Sequence, residues 1–519
     1  MSVASANIRE WKNSFAPVNR IPLDILSLIP THLASQRDRF YAASVCRHWR
    51  GALLKYGALW TQLFLRKGEE YVSTLLDRAK GSALDVVTCR NAPDGALALI
   101  FPRARQIRCL ELQYVAWKEI LTFSELNSAR LPLLRALKII YLEAFNPDDQ
   151  HIIPTLSSQP FFRGSPNLKE FIFHSARFRY LDLFVFPNLT TFEMSTNPSG
   201  EPSASHLFDF LKSSPMLRTV KLKINSEIVL DGVPQGMVVT LPDVETFSLY
   251  MRSDTVVGTY DIASHLLCPR ARDTSLIRAI GDASVNYFLE MSPRLVMWEK
   301  IVHQHATCPM EEATLEVKRK EYDAIRCSLV FRSADAAVLK LGFDIVETGE
   351  EEEELAMTFE EMGWEIFSQA LATIRDYPLL SHIKRLHIKH RSAVPDVHRW
   401  AEDVGELFSC LGPLDKLTID GCDLQIFLAA FLEDPDFSDL EETITFPWIK
   451  DLTILHPYMS WDEAGCMEAI VGLAESQDAL GIPFERVAVR MWYLPTGMVE
   501  ELEQWVNVVE CCKEWDQEL

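Results

Sequence analysis

Ten times along this chain an apolar residue is followed, three and five positions later, by two more. The triplets are Ile107/Leu110/Leu112, Leu134/Leu137/Ile139, Leu168/Phe171/Phe173, Leu189/Phe192/Met194, Leu217/Val220/Leu222 and Val244/Phe247/Leu249. After a gap come Ile383/Leu386/Ile388, Leu414/Leu417/Ile419, Ile449/Leu452/Ile454 and Phe484/Val487/Val489. The first six start 27, 34, 21, 28 and 27 residues apart and the last four 31, 35 and 35 apart. A proline precedes most of them: Pro132, Pro166, Pro187, Pro215, Pro242, Pro413, Pro447 and Pro483. Residues two apart on a strand share a face, so each triplet reads as a short strand with a buried side. Intervals of this length hold one turn and one helix, such as Ser205–Ser213 or Val404–Cys410. Repetition at such a period predicts an α/β stack whose strands form one parallel sheet with right-handed crossovers.

The unit resembles the leucine-rich repeat in an irregular form. Asn197, Asn225 and Cys422 occupy its closing Asn/Cys position in three units. The resemblance implies a solenoid over residues 101–495, with the sheet on its concave side and helices outside. Residues 255–382 break the period, although Ala336/Leu339/Leu341 has the look of a worn unit. Within that stretch, Glu350–Glu354 reads as a solvated loop or the start of a helix leading into Leu355–Ile374. At the end, Val499, Leu502, Trp505, Val506 and Val509 have helical spacing, which predicts a C-terminal helix over 496–519 capping the open sheet edge.

Before the repeats stands a different element, Asn19 to Trp60. Pro22 suits the first position of a helix, Asp24 suits its positive end, and Pro30 should stop it. A second helix starts near Ser35 and carries Phe40, Tyr41, Ala43, Val45 and Cys46; a third segment carries Trp49, Leu53 and Leu54. About 40 residues rarely sustain a core alone, so this element must lean on the rest of the chain, on a partner, or on both. Ile21, Pro22, Ile25, Leu26, Leu33, Val45, Cys46, Trp49, Leu59 and Trp60 match the F-box in order and spacing, and the segment resembles that family; Pro30 departs from the motif. The resemblance implies a three-helix F-box over 19–60 that binds a Skp adaptor, and through it a cullin. On that reading Pro22, Leu23, Ile25, Leu26, Val45, Cys46 and Trp49 contact the adaptor, with Trp49 open to a purely structural role. Residues 1–18 read as a flexible lead and 61–100 as a helical bridge, where Tyr71, Val72, Leu75, Leu76 and Ala79 have helical spacing and Gly81 is the stop. Irregular repeats behind an F-box also resemble the large F-box families of filamentous fungi.

Composition narrows the function classes. A net charge of −22 argues against sequence-independent binding to nucleic acid or anionic membranes, which depends on Lys and Arg. The first residues hold no apolar core of signal-peptide length, and no apolar run is long enough to span a bilayer. Eleven scattered cysteines without C-x-x-C then read as reduced thiols of an intracellular protein, in cytoplasm or nucleus. Nucleophile elbow, P-loop, H-E-x-x-H and zinc spacings are missing, so neither catalysis nor a cofactor or metal is expected. His387 and His390 fall on opposite faces of a strand and cannot share a metal.

The residues alternating with each triplet face the other way and form the exposed side of the sheet. One column reads Glu111, Lys138, Ile172, Glu193, Lys221, Ser248, His387, Thr418, Thr453 and Ala488. The next reads Gln113, Ile140, His174, Ser195, Lys223, Tyr250, Lys389, Asp420, Leu455 and Arg490. This mixed chemistry suits a protein ligand better than a small molecule, with Lys221, Lys223, Tyr250, His387, Lys389, Asp420 and Arg490 as candidate contacts. Taken together, the expectation is a non-enzymatic, substrate-recruiting subunit of a Skp–cullin–F-box ubiquitin ligase. The alternative is a leucine-rich-repeat binding scaffold with no ligase role.

Overall fold

The computed structural model describes residues 21–22, 25–26, 32, 36–89, 94–113, 131–142, 165–175, 181–182, 184–196, 204–225, 237–253, 262–281, 310–320, 324–333, 337–346, 380–390, 407–421, 448–455, 463–491 and 497–513. The lead over 1–18, Leu23, Pro30, Leu33, Asn197, Ala336, the acidic run Glu350–Glu354, the helix expected over Leu355–Ile374 and Cys422 lie outside them. The chain divides into two compact units, one of residues 1–199 and 205–217, the other of 200–204 and 218–519.

In the first unit, helices α1 (Gln36–Ser44) and α2 (Arg47–Lys55) lead through a 3-10 turn at Gly57–Trp60 into β1 (Gln62–Phe64). There follow α3 (Glu69–Ala79), β2 (Leu84–Cys89), α4 (Asp94–Ile100), β3 (Ile107–Gln113), β4 (Ala136–Leu142), β5 (Glu170–Ser175), β6 (Thr191–Thr196) and α5 (Ala204–Lys212). Strands β1 to β6 pair in chain order and all parallel. The segment expected as a helical bridge therefore contains the first two strands of the sheet. Leu84, Val86 and Thr88 alternate inward and are buried, the period-2 pattern of a half-buried strand. Its helix is where the spacing puts it, with Val72, Leu75, Leu76 and Ala79 buried, and Gly81 follows in the left-handed region at φ 81°.

The prolines have a local reason. Ahead of most triplets, the first apolar amide donates back three residues, as Leu134 N to Leu131 O, Leu168 N to Ser165 O, Leu189 N to Phe186 O and Leu217 N to Ser214 O. In each turn Pro sits at the second position, where its fixed φ is already correct. Asn167 Nδ2 donates to Pro132 O at 2.7 Å and Asn188 Nδ2 to Pro166 O at 3.0 Å, tying each turn to the one before. Behind the strands lies a cluster of phenylalanines: Phe171 has ring neighbours Phe184, Phe186 and Phe173 at 5.0, 5.1 and 5.6 Å, and Phe210 of α5 meets Phe192 at 4.6 Å.

The second unit carries β7 (Thr219–Ile224), β8 (Val239–Thr240), β9 (Thr246–Ser253), β10 (Leu266–Leu267), β11 (Asp273–Gly281), β12 (Met310–Lys320), β13 (Ala324–Ser333), β14 (Val338–Val346) and β15 (Arg385–His390). It continues with β16 (Leu414–Asp420), β17 (Ile449–Leu455), α6 (Glu463–Ala479), β18 (Arg486–Met491), α7 (Met498–Leu502) and β19 (Val508–Lys513). Strands β7, β9, β11 and β14 are parallel neighbours, and so are β12 and β15 to β19. Between β14 and β12 lies β13, antiparallel to both. The irregular middle is thus a three-strand meander set into the sheet in reverse chain order. Leu339 and Leu341 of the worn unit lie on β14 and are fully buried.

One apolar row crosses the reversal unbroken. Leu249, Leu276, Leu341, Leu329, Leu315, Ile388, Ile419, Ile454 and Val489 stand opposite one another, strand after strand, and all are buried. The ten triplets are buried throughout, because a slip of one residue would turn a strand's whole apolar set to the other face. At the C-terminus the expected capping helix gives way to α7 and strand β19, which pairs parallel with β18. Trp505 N and Val506 N bond Leu502 O, and the β-branched pair Val508-Val509 then extends, satisfying the backbone groups of β18.

Candidate functional site

The N-terminal element is held by its inner face. Leu26 is 0% exposed, and its amide donates to Pro22 O at 2.9 Å in a single helical turn. Trp60 is fully buried and donates from Nε1 to Leu53 O at 2.9 Å. Phe40 of α1 meets the Trp60 ring edge-on at 5.2 Å and Tyr71 of α3 at 6.3 Å. The Arg78 guanidinium, also from α3, lies 4.9 Å from the Trp60 ring centre and 5.8 Å from Phe40. Burial raises the Tyr71 phenol above its ordinary value. Gly57 lets the backbone close: a Cβ there would stand 2.5 Å from Ala79 O. Further ties run from Arg39 Nη1 to Leu59 O at 3.3 Å and from Arg50 Nε to Ala43 O at 3.1 Å. Phe40, Tyr71 and Arg78 supply the support that a short helical element needs from its own chain.

Its other residues are left outward. Ile25 is 49% exposed, Val45 61% and Tyr41 56%; Tyr41 and Val45 are one helical turn apart at the end of α1. Pro22 is exposed, and Cys46 and Trp49 are half-buried, with Trp49 Nε1 buried and without a hydrogen-bond partner among the described residues. The expected docking set therefore divides. Pro22, Ile25 and Val45 are exposed, while Cys46 and Trp49 are half-buried. Leu26 is corrected to a core residue, because its place in the first helical turn points inward. Tyr41 was missed as a surface residue; its position four before Val45 was the available signal.

Residues 18–66 match the F-box-like family. The chain carries an F-box-like domain. F-box domains generally bind Skp-type adaptor proteins, and the exposed apolar residues lie within the matched segment. Comparison with curated proteins finds none that matches this chain.

The second unit presents the other candidate surface. Lys221 and Lys223 are exposed on β7, and Lys223 Nζ lies 5.5 Å from the centre of the Tyr250 ring on β9. On β15 are His387 and Lys389, half-buried; Arg490 on β18 is exposed. Asp420 is corrected: at 6% exposed it belongs to the interior, at the end of β16, where Gly421 N bonds Leu455 O. The candidate contacts fall in two groups, because the meander separates β9 from β15 by five strand steps, about 24 Å at the usual strand spacing.

Register aligns the outward residues into rows. Arg332, Glu312 and Arg385 form a charged ladder at 3.2 and 3.6 Å, and Lys416, Asp451, Arg486 and Glu510 another at 4.0, 3.1 and 2.5 Å. Hydrogen bonds to Glu510 and then Asp451 raise the Arg486 guanidinium, and the bond to Arg486 lowers the Glu510 carboxyl. Beside this row runs a second: Lys221, Ser248, Ser275, Lys340, Val330, Thr314, His387, Thr418, Thr453 and Ala488. By register it continues from Ala488 to Glu510 on β19. Among the described residues no group of His, Cys, Asp or Glu is placed to hold a metal ion, and no helix is long and apolar enough to cross a membrane.

Proposed function

We propose that this protein is the substrate-recruiting subunit of a Skp–cullin–F-box ubiquitin ligase. The observation that carries the reading is the F-box-like match at 18–66 coinciding with exposed Ile25 and Val45 on an element braced from behind by Arg78 and Tyr71. The buried triplets, their parallel register and their proline turns favour reading the remainder as an irregular leucine-rich-repeat solenoid that binds a client protein. The chain itself performs no chemistry. Its contribution is proximity, raising the effective concentration of client lysines at the transfer machinery. On this reading it works inside the cell, in cytoplasm or nucleus.

Capture by purified Skp adaptor tests the reading, with wild type beside Val45→Asp and Ile25→Asp. A charge forced into an apolar contact costs several kcal/mol, so capture should fall at least tenfold while thermal melting is unchanged. Wild-type protein that fails to capture the adaptor would remove the ligase role and leave a repeat scaffold.

A further inference from the structure

Where a parallel strand leaves its turn, the residue after the first apolar position stands at the rim of the sheet, and backbone hydrogen bonds set these residues side by side. In the second unit the rim alternates in sign. Glu245 N bonds Arg218 O and Arg272 N bonds Glu245 O, both at 2.8 Å. Beyond the meander, Lys384 N bonds Glu311 O, Asp415 N bonds Lys384 O and Glu485 N bonds Lys450 O, at 2.8, 2.7 and 2.8 Å. Leu414 is level with Ile449, which sets Asp415 beside Lys450. Two of these neighbours are ion pairs, Arg218 with Glu245 at 3.8 Å and Lys450 with Asp415 at 2.9 Å. In the first unit the same rim carries three cations in succession. Arg135 N bonds Arg108 O at 2.8 Å and Lys169 N bonds Arg135 O at 2.9 Å, so the three follow one another at about 5 Å per strand. Arg108 pairs with Asp85 at 2.6 Å, and Lys169 Nζ donates to a neutral group, Asn188 O, at 3.2 Å. The guanidinium of Arg135 is exposed and has no partner among the described residues. Nor has that of Arg105, exposed in the 3-10 turn that leads into β3. Like charges this close repel, a cost that the alternating rim avoids and that is out of place in a chain of net charge −22. Two residues before Arg135, in the same turn, Leu133 is 44% exposed.

We infer that this rim of the first unit binds an acidic segment of the client, in which two or more Asp or Glu accompany a large apolar residue. The inference rests on the client-binding reading above and specifies its place and chemistry. The segment's carboxylates meet Arg135 and the cations on either side of it, completing from outside the alternation that the second unit builds from its own residues. Its apolar side chain covers Leu133. Two strand steps span about 10 Å, the length of roughly three extended residues, so carboxylates two or three positions apart reach two cations at once. So few cations on so acidic a chain do not suffice for nucleic acid, whose binding is built from many phosphate contacts.

The test is selection on the full-length chain from a displayed library of random peptides of about ten residues, roughly three times the span of the rim when extended. Recovered peptides should be enriched in Asp and Glu together with Leu, Ile, Val or Phe. Arg135→Glu should weaken the best of them about tenfold or more, since an attraction becomes a repulsion, and Arg135→Lys should hold most of the binding. Leu133→Ser should weaken them about fivefold through the lost apolar contact. Arg272→Glu makes the same change of charge at the alternating rim of the second unit and should leave binding unchanged. Arg135→Glu should melt no lower than wild type, because it removes a cation from between Arg108 and Lys169. Failure to recover any peptide, recovery without acidic enrichment, equal loss in Arg135→Glu and Arg272→Glu, or a melting temperature lowered by Arg135→Glu would each overturn the inference. So would a single-stranded RNA of similar length that binds as tightly and is lost in Arg135→Glu. Adaptor capture by the same preparation separates the two readings: capture without acidic selection removes this inference alone, and acidic selection without capture removes the ligase role alone.

Discussion

Trp60→Phe should loosen the F-box-like domain and leave the second unit unmoved. Three losses follow from the geometry. The bond from Nε1 to Leu53 O disappears, but Tyr56 N still donates to that carbonyl at 3.2 Å, so the cost is that of one bond, about 1 kcal/mol, and not that of an orphaned acceptor. The Arg78 contact to the larger ring weakens by roughly 0.5–1 kcal/mol. The smaller ring leaves a void in a fully buried site, adding about 1–2 kcal/mol. Together the substitution should cost about 2.5–4 kcal/mol, which is roughly 60- to 700-fold in a local opening equilibrium. Amide hydrogen exchange reads that equilibrium residue by residue. Amides of α2, including Arg50 N, which bonds Cys46 O at 3.0 Å, should exchange faster by that factor, and those of β12 and β13 should not change. Unaltered protection in α2 would refute the claim that Trp60 braces the domain from within.

Other expectations are briefer. Leu26→Asp should lower the melting temperature of the domain, unlike Val45→Asp, because Leu26 is buried and Val45 is open; equal melting of the two would contradict that division. Cys46 should be alkylated at pH 7.5 and protected by bound adaptor, whereas Cys109 and Cys268 stay unmodified, since burial pushes their thiols up to about 11 and about 12; peptide mass mapping reads all three. Removing Asn167 by Asn167→Ala should cost about 0.5–1.5 kcal/mol for its exposed turn-to-turn bond, seen in denaturant unfolding. The hydrogen bond from Lys450 holds the Asp415 carboxyl below its ordinary value. Its stabilising effect is therefore full above the unfolded carboxylate pKa and disappears as pH falls through the lower folded one. Lys450→Met should return the carboxyl to the ordinary range by NMR titration.

The apolar triplets were legible because spacing alone decides which face a strand residue takes, and their prolines marked the turns. Reversed strands were not, since they do not carry the period of the parallel units. The alternation Ala313, Leu315, Val317 in β12 was nonetheless present in the sequence. At the C-terminus, Val499 to Val509 satisfy a helical period as well as they satisfy a short helix followed by a strand; the unpaired edge of β18, invisible in the sequence, decides for the strand. In the F-box-like segment, type and order of residues were readable, but the burial of Leu26 and the exposure of Ile25 are set by the packing of the folded chain and not by residue type. Asp420 failed for a related reason: alternation predicts a face, and the end of a strand can bury both.

The reversed meander bears on synthesis. A sheet whose strands pair in chain order can grow as the chain emerges, each new strand covering the last edge. Here β11 ends at Gly281, and its next neighbour begins only at Val338, 57 residues later. At about 5–20 residues per second, the edge of β11 waits roughly 3–11 s on the ribosome without that neighbour, and an unpaired edge is a template for wrong pairing. Ribosome-bound chains arrested between Gly281 and Val338 should be captured by chaperones more strongly than chains arrested after Val346, and equal capture would contradict this. The same reversal that keeps the apolar row continuous in the finished sheet thus marks the stretch of translation at which the nascent chain is most in need of protection.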